Sequence, residues 1–128
     1  MPIHFVPAPG TVLLCDYSTG FVPPEMTKLR PVVVLSPFSA HSSTVLVVPI
    51  STSRPVPHEA HHVLIPAGKY RFLHRGVDCW IKGDMISAVA LTRLSPLLSS
   101  ASLSARHYRA VQRAVLHALG FAQLTARV

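Results

Sequence analysis

Short apolar runs, each closed by proline, glycine, serine or aspartate, fill most of this chain, and helical periodicity is confined to its last part. Residues 11–17, TVLLCDY, follow Gly10 and read as a strand, with Asp16 near its end capping a turn through Ser18, Thr19 and Gly20. Residues 31–36, PVVVLS, and 44–50, TVLVVPI, are dense in valine and read as an antiparallel pair buried on both faces. Pro49 cannot donate to a ladder, which predicts an edge or bulge position. Residues 63–65 form a β-prone run; 79–81 and 85–91 are further strands. Between the last two, Lys82, Gly83 and Asp84 break the pattern, and a glycine there predicts a bulge that aims Lys82 and Asp84 together. Beyond a serine-rich hinge at 95–104, residues 105–119 predict a helix with Ser104 as N-cap and Gly120 just past its end. Tyr108, Val111, Val115 and Ala118 face the sheet at helical spacing, while Arg106, Arg109 and Arg113 line the other side.

Polar positions cluster where strands begin and end. The loop before residue 31 carries Glu25, Lys28 and Arg30, and Pro31 biases Arg30 toward extended backbone at the mouth of a strand. A guanidinium held there suits a phosphate, being permanently charged and presenting a planar fork of donors. Ser51, Thr52 and Ser53, followed by Arg54, end the 44–50 strand, where hydroxyls either satisfy turn donors or hold phosphate oxygens. Residues 67–77 place Lys69, Arg71 and Arg75 near Tyr70 and Phe72, a flexible loop for a polyanion or a solvated hairpin. His58, Glu59 and His62 satisfy H-E-x-x-H, a pattern that binds zinc only on a helix. Pro55, Pro57 and Pro66 leave no room for one. On a strand these two histidines would stand roughly 13 Å apart, so no metal is expected here and the histidines read as surface and edge-strand residues.

The chain has 128 residues, 49% of them hydrophobic, enough to build a core as one domain spanning residues 1–128. No apolar run reaches the roughly 18 residues of a membrane span, and the first residues lack a targeting pattern, so a chain that is neither membrane-bound nor exported is expected. Cys15 and Cys79 lie in strand-like surroundings without metal spacing and are expected as buried, reduced thiols. Twelve Lys and Arg against five Asp and Glu give a net charge of +7, which attracts a polyanion: nucleic acid or an acidic protein. Aromatic content of 7% argues against an extended stacking platform for single strands.

A glycine-led first strand, PEMxKxRPVVVLSP, a strand ending in PIST, WIKGDMI, a strand closing on ALTRL and a terminal amphipathic helix together resemble the PemK/MazF toxins of type II toxin–antitoxin systems. The resemblance covers residues 9–121 and implies a mainly β fold, an SH3-like antiparallel β-barrel of the CcdB/PemK/MazF type with a C-terminal α-helix, working as a cytoplasmic homodimer. It further implies an endoribonuclease that cleaves single-stranded RNA or mRNA without metal or other cofactor, leaving 2′,3′-cyclic phosphate and 5′-hydroxyl ends. A cognate antitoxin, through an acidic segment, would hold it inactive. By the same resemblance Arg30 stabilises the developing charge, Ser51 positions the phosphate, Lys82 assists, and Glu25 or Asp84 is the base. Lys28, Thr52, Arg54, Lys69, Arg71 and Arg75 are the RNA-binding candidates. Ser51 stands where relatives carry Thr, Lys82 where some carry Arg, and Pro24 where some carry His, so a mechanism using that imidazole cannot operate here. The alternatives are a toxin of the same fold that poisons DNA gyrase by protein binding, and a basic nucleic-acid-binding module without catalysis.

Overall fold

The computed structural model describes residues 3, 5–36, 43–74, 76–97 and 101–128. The strands are β1 (Val12–Asp16), β2 (Leu29–Ser36), β3 (Thr44–Ser51), β4 (His62–Ile65), β5 (Cys79–Lys82), β6 (Ser87–Ala90) and β7 (Leu94–Pro96), followed by helix α1 (Ala105–Ala118). They form one sheet in the order β4-β5-β3-β2-β1-β7, with β6 also on β3. All of its pairings are antiparallel. The sheet is open, with β4 and β7 at its ends, and its strand-then-helix architecture is the mainly β class the apolar runs predict.

The valine runs sit at the centre: Val32, Val33 and Val34 are fully buried because both faces of β2 are covered. One core holds Val33, Val48, Ile50, Ile65 and Ile81 beneath α1, which contributes Val111; the other holds Tyr17, Val32, Val34, Val45 and Val47. Alternation along each strand separates the two. Within α1, Val111 and Ala114 are the buried residues and Ala118 is exposed, so the helix leaves the sheet one turn earlier than its periodicity predicts. Ser104 caps α1 by accepting the His107 N–H at 3.2 Å, and Gly120 follows it at φ +87°, the left-handed backbone that ends a helix. The Tyr108 hydroxyl donates to the Leu35 carbonyl at 2.8 Å, tying the helix to β2.

Several local expectations are corrected. Pro49 lies on a central strand, not an edge: β3 pairs with β6 as far as Val47↔Ser87 and with β5 from Ile50↔Ile81, and the proline falls in the gap where the neighbour changes. Lys82 to Met85 is a tight turn, the Met85 N–H donating to the Lys82 carbonyl at 3.0 Å, and not a bulge. The serine-rich segment is not merely a hinge, because Leu94–Pro96 pairs with β1 and Ser102 bridges Thr11. Cys15 and Cys79 are free and buried, as expected.

Candidate functional site

Strand register assembles the polar residues. Val32 opposes Pro49 in the ladder, and Arg30 and Ser51 each stand two residues along their strands from that pair, on the same face. Ser51 in turn opposes Trp80, Trp80 opposes Leu64, and Lys82 opposes His62. Opposed residues, and alternate residues of one strand, share a face. Arg30, Ser51, Trp80, Lys82, Leu64 and His62 therefore lie on one face, while Ile50, Ile81 and Val63 belong to the core beneath α1. The site is the sheet face turned away from the helix.

On that face Arg30 is half-buried, and its Nε is buried without a hydrogen-bond partner among the described residues. Ser51 is 3% exposed, and its Oγ accepts the Ser53 N–H at 3.1 Å. An unpaired guanidinium donor in a region of low dielectric is unfavourable by itself and favours an incoming anion. Of the two readings the sequence leaves open, the turn-donor one is seen at Ser51, which also stands on the face that carries Arg30.

Of two clefts, the smaller shares Leu64 and Trp80 with this face, and the larger is lined by none of the face's six residues. The larger, ≈ 430 Å³, is lined by Tyr17, Phe21, Glu25, Met26, Asp84 and Ser87 among others, so both candidate bases share one cavity. Glu25 accepts the Val22 N–H at 2.8 Å, which makes it an anchor of its own loop as well as a wall of the cleft. Asp84 Oδ2 lies 3.5 Å from His61 Nε2. The Tyr17 and Ser87 hydroxyls are buried beside the same cavity and lie close to one another. Burial pushes the Tyr17 phenol well above its usual range and the Cys15 thiol beside it up to about 11. The second cleft, ≈ 330 Å³, is lined by Thr52, Arg54, Leu64, Val77, Asp78 and Trp80.

Other candidates are not gathered in. Lys28 is exposed on the loop before β2. Lys69 and Arg71 are exposed and line neither cleft. Their loop is pinned and not free to stack on bases: the Tyr70 hydroxyl meets His107 Nδ1 at 2.6 Å, and the Tyr70 and Phe72 rings stack at 5.0 Å against the helix-side core. Arg75 lies outside the described residues.

The H-E-x-x-H residues form no helix, but the extended spacing predicted for them is also wrong. A turn closed by the His62 N–H on the Glu59 carbonyl at 3.0 Å draws the His58 and His62 rings to 6.1 Å between centroids. The donors able to share a cation are a different set, His61, His62 and Asp84, whose ligand atoms all lie within 4.8 Å of one another. Sequence reading passed over Trp80, Tyr17, Ser87 and His61. Trp80 carried a signal, as the single tryptophan two residues from Lys82; Tyr17 and Ser87 are recognisable only once the cleft is built, and His61 only once its turn meets Asp84.

Residues 8–119 match the family model of the PemK-like, MazF-like toxins of type II toxin–antitoxin systems. No curated protein matches the sequence. Among solved structures, the chain is similar to MazF from Deinococcus radiodurans at TM-score 0.70 and 22% identity, covering 90% of this chain and 97% of that one. An endoribonuclease from a Mycobacterial species, solved with its cognate antitoxin, is similar at TM-score 0.64 and 19% identity, covering 90% and 96%. A MazE–MazF structure from Deinococcus radiodurans is similar at TM-score 0.63 and 21% identity, covering 90% and 96%. At these identities the likeness speaks for the fold.

Proposed function

Because the chain belongs to the PemK-like, MazF-like toxins of type II toxin–antitoxin systems, we propose that it is an endoribonuclease acting on single-stranded RNA. The observation that supports this best is the shared face of Arg30, Ser51 and Lys82, one cation of which has a buried donor without a partner among the described residues. A scissile phosphate seated there meets Arg30 and Lys82 as counter-charges and Ser51 as a hydrogen-bonding neighbour. The ribose 2′-hydroxyl attacks its own phosphorus, the 5′-oxygen of the next nucleotide leaves, and the products are a 2′,3′-cyclic phosphate and a 5′-hydroxyl. Glu25 or Asp84, which line one cleft, accepts the 2′ proton. Arg30 works by charge and not as an acid, since a guanidinium with a pKa above about 12 holds its proton. No step uses a metal ion. Thr52 and Arg54 extend the track along the second cleft.

The partners follow from the same reading: a cytoplasmic homodimer held inactive by a cognate antitoxin whose acidic segment complements the +7 charge and covers the Arg30 face. The test is purified protein on single-stranded RNA in excess EDTA. Cleavage leaving 5′-hydroxyl ends is expected, falling by about 10² to 10³ in Arg30→Ala, the usual loss for one preorganised donor. RNA that stays intact across varied sequences would overturn the ribonuclease reading; tight binding retained would then identify a binding module, and gyrase inhibition the protein-directed toxin.

A further inference from the structure

Beside the Arg30 face, the turn that ends at β4 and the turn that follows β5 are locked together. His62 opposes Lys82 in the ladder, and the Gly83 N–H donates to the His61 carbonyl at 2.8 Å. The approach is so close that only glycine fits at 83: a Cβ there would stand 2.8 Å from that carbonyl oxygen. Three side chains are brought together as a result. His61 Nε2 is 3.5 Å from Asp84 Oδ2, and the His61 and His62 rings meet edge to face with centroids 4.2 Å apart.

Those separations have a chemical meaning. Zinc–nitrogen and zinc–oxygen bonds of about 2.0–2.2 Å in a tetrahedron put neighbouring donor atoms about 3.4 Å apart. The His61 Nε2 to Asp84 Oδ2 distance already has that value, and the widest spacing in the set, 4.8 Å, closes by rotation of exposed or half-buried side chains. Two imidazoles and one carboxylate with a position left for water suit a borderline transition cation and not magnesium, which prefers an all-oxygen shell. Ligation has one local cost. His62 Nδ1 accepts the Glu59 N–H at 3.0 Å, so binding through Nε2 requires the ring to move its proton and release that exposed bond to water.

We propose that His61, His62 and Asp84 form a binding site for a zinc-class divalent cation, and that occupancy engages the Asp84 carboxylate, which then cannot accept a proton in the cleft it lines with Glu25. The cation is an inhibitor of this site and not a participant in cleavage. The binding half stands whether or not the protein cuts RNA; the inhibitory half rests on the ribonuclease reading.

Cobalt(II), a spectroscopic stand-in for zinc, tests the first half on the full chain. One equivalent per chain should give the visible absorption of a four-coordinate site, displaced by zinc and unaffected by magnesium. His61→Ala and His62→Ala should each weaken cobalt affinity at least 10-fold, whereas His58→Ala, outside the set, should leave it within 2-fold. Wild-type protein that shows no stoichiometric cobalt site, or affinity unchanged in both variants, would overturn the proposal. In the second half, zinc should suppress RNA cleavage by wild type at least 10-fold more than by His61→Ala. Equal suppression of the two would overturn the inhibitory role, while absence of cleavage in EDTA would count against the ribonuclease reading and leave the cobalt result to decide the site.

Discussion

Replacing Gly83 by alanine tests the packing that sets the geometry of the proposed site. The added Cβ would lie 2.8 Å from the His61 carbonyl oxygen, 3.1 Å from the Ala114 Cβ and 3.2 Å from the Ala114 carbonyl carbon. Comfortable contacts between such atoms are about 3.5–4.0 Å, so β4, the turn or α1 must retreat by roughly half an ångström. None of these is the free end of a flexible side chain. The carbonyl that must move is also the acceptor of the Gly83 N–H, so relief of the clash lengthens a 2.8 Å hydrogen bond. Overpacking of this kind costs about 1–3 kcal/mol. Against it stands a gain of about 0.4–1 kcal/mol from the stiffer unfolded chain, available because Gly83 is not among the glycines at positive φ. The net expectation is a loss of about 1–2 kcal/mol, read as a fall of about 3–8 °C in Tm for a chain of this size. Thermal and urea unfolding at one fixed protein concentration measure it. Gly76→Ala is the control, since among the described residues its Cβ would meet only the His74 ring at 3.7 Å, and it should be neutral or slightly stabilising. A Gly83→Ala variant as stable as wild type would refute the reasoning, because the two turns would then have room that these distances deny them.

The remaining predictions concern titration and thiol chemistry. Burial, and after it the charges of Lys69 and Arg106, hold His107 below its usual pKa, and burial does the same for His62. The unfolded chain takes up these protons near pH 6.5 and the folded chain only below that, so stability is complete above about pH 6.5 and falls on acidification through the folded values. Urea midpoints from pH 8 to 5 should show this fall, and His107→Gln should flatten it in part, leaving the share of His62; an unchanged slope would contradict the assignment. Cys15 is fully buried with its thiol pushed up to about 11, and burial raises Cys79 as well. A disulfide reagent at pH 8 should find no fast thiol in native protein and both in denaturant, and a rapid native equivalent would contradict that burial. The raised Cys15 value also implies stability that is complete below pH 9.0 and is lost as pH rises toward about 11.

The fold was legible where composition alone decides structure. Three consecutive valines in β2 can be buried together only if both faces of the strand are covered, and Ser104 and Gly120 bracket α1 through local hydrogen bonding and backbone freedom. Legibility fails where a distant partner decides. Pro49 is harmless on a central strand only because β3 changes neighbours beside it, which no local pattern announces. The turn at Lys82 looks like a bulge until β5 and β6 are seen to pair separately with β3. Tyr70 and Phe72 look like stacking groups until His107 and the core claim them.

The candidate site follows the same division. Residue chemistry picks out Arg30, Ser51, Lys82, Glu25 and Asp84, but whether they meet depends on register. A slip of one residue between β2 and β3 would send Arg30 or Ser51 to the helix side. What prevents that slip is the buried alternation itself. Moving β3 by one residue would exchange Val47, which packs with Val32 and Val34, for Val48, which packs with Val33 and Ile50, and would drive the Ser51 hydroxyl into an apolar core. Burying that hydroxyl unpaired costs about 1–3 kcal/mol, and an uncompensated guanidinium several times more. The polar residues of the site thus help fix the register that assembles them, which is why their sequence positions carry the chemistry while their meeting becomes visible only in the folded sheet.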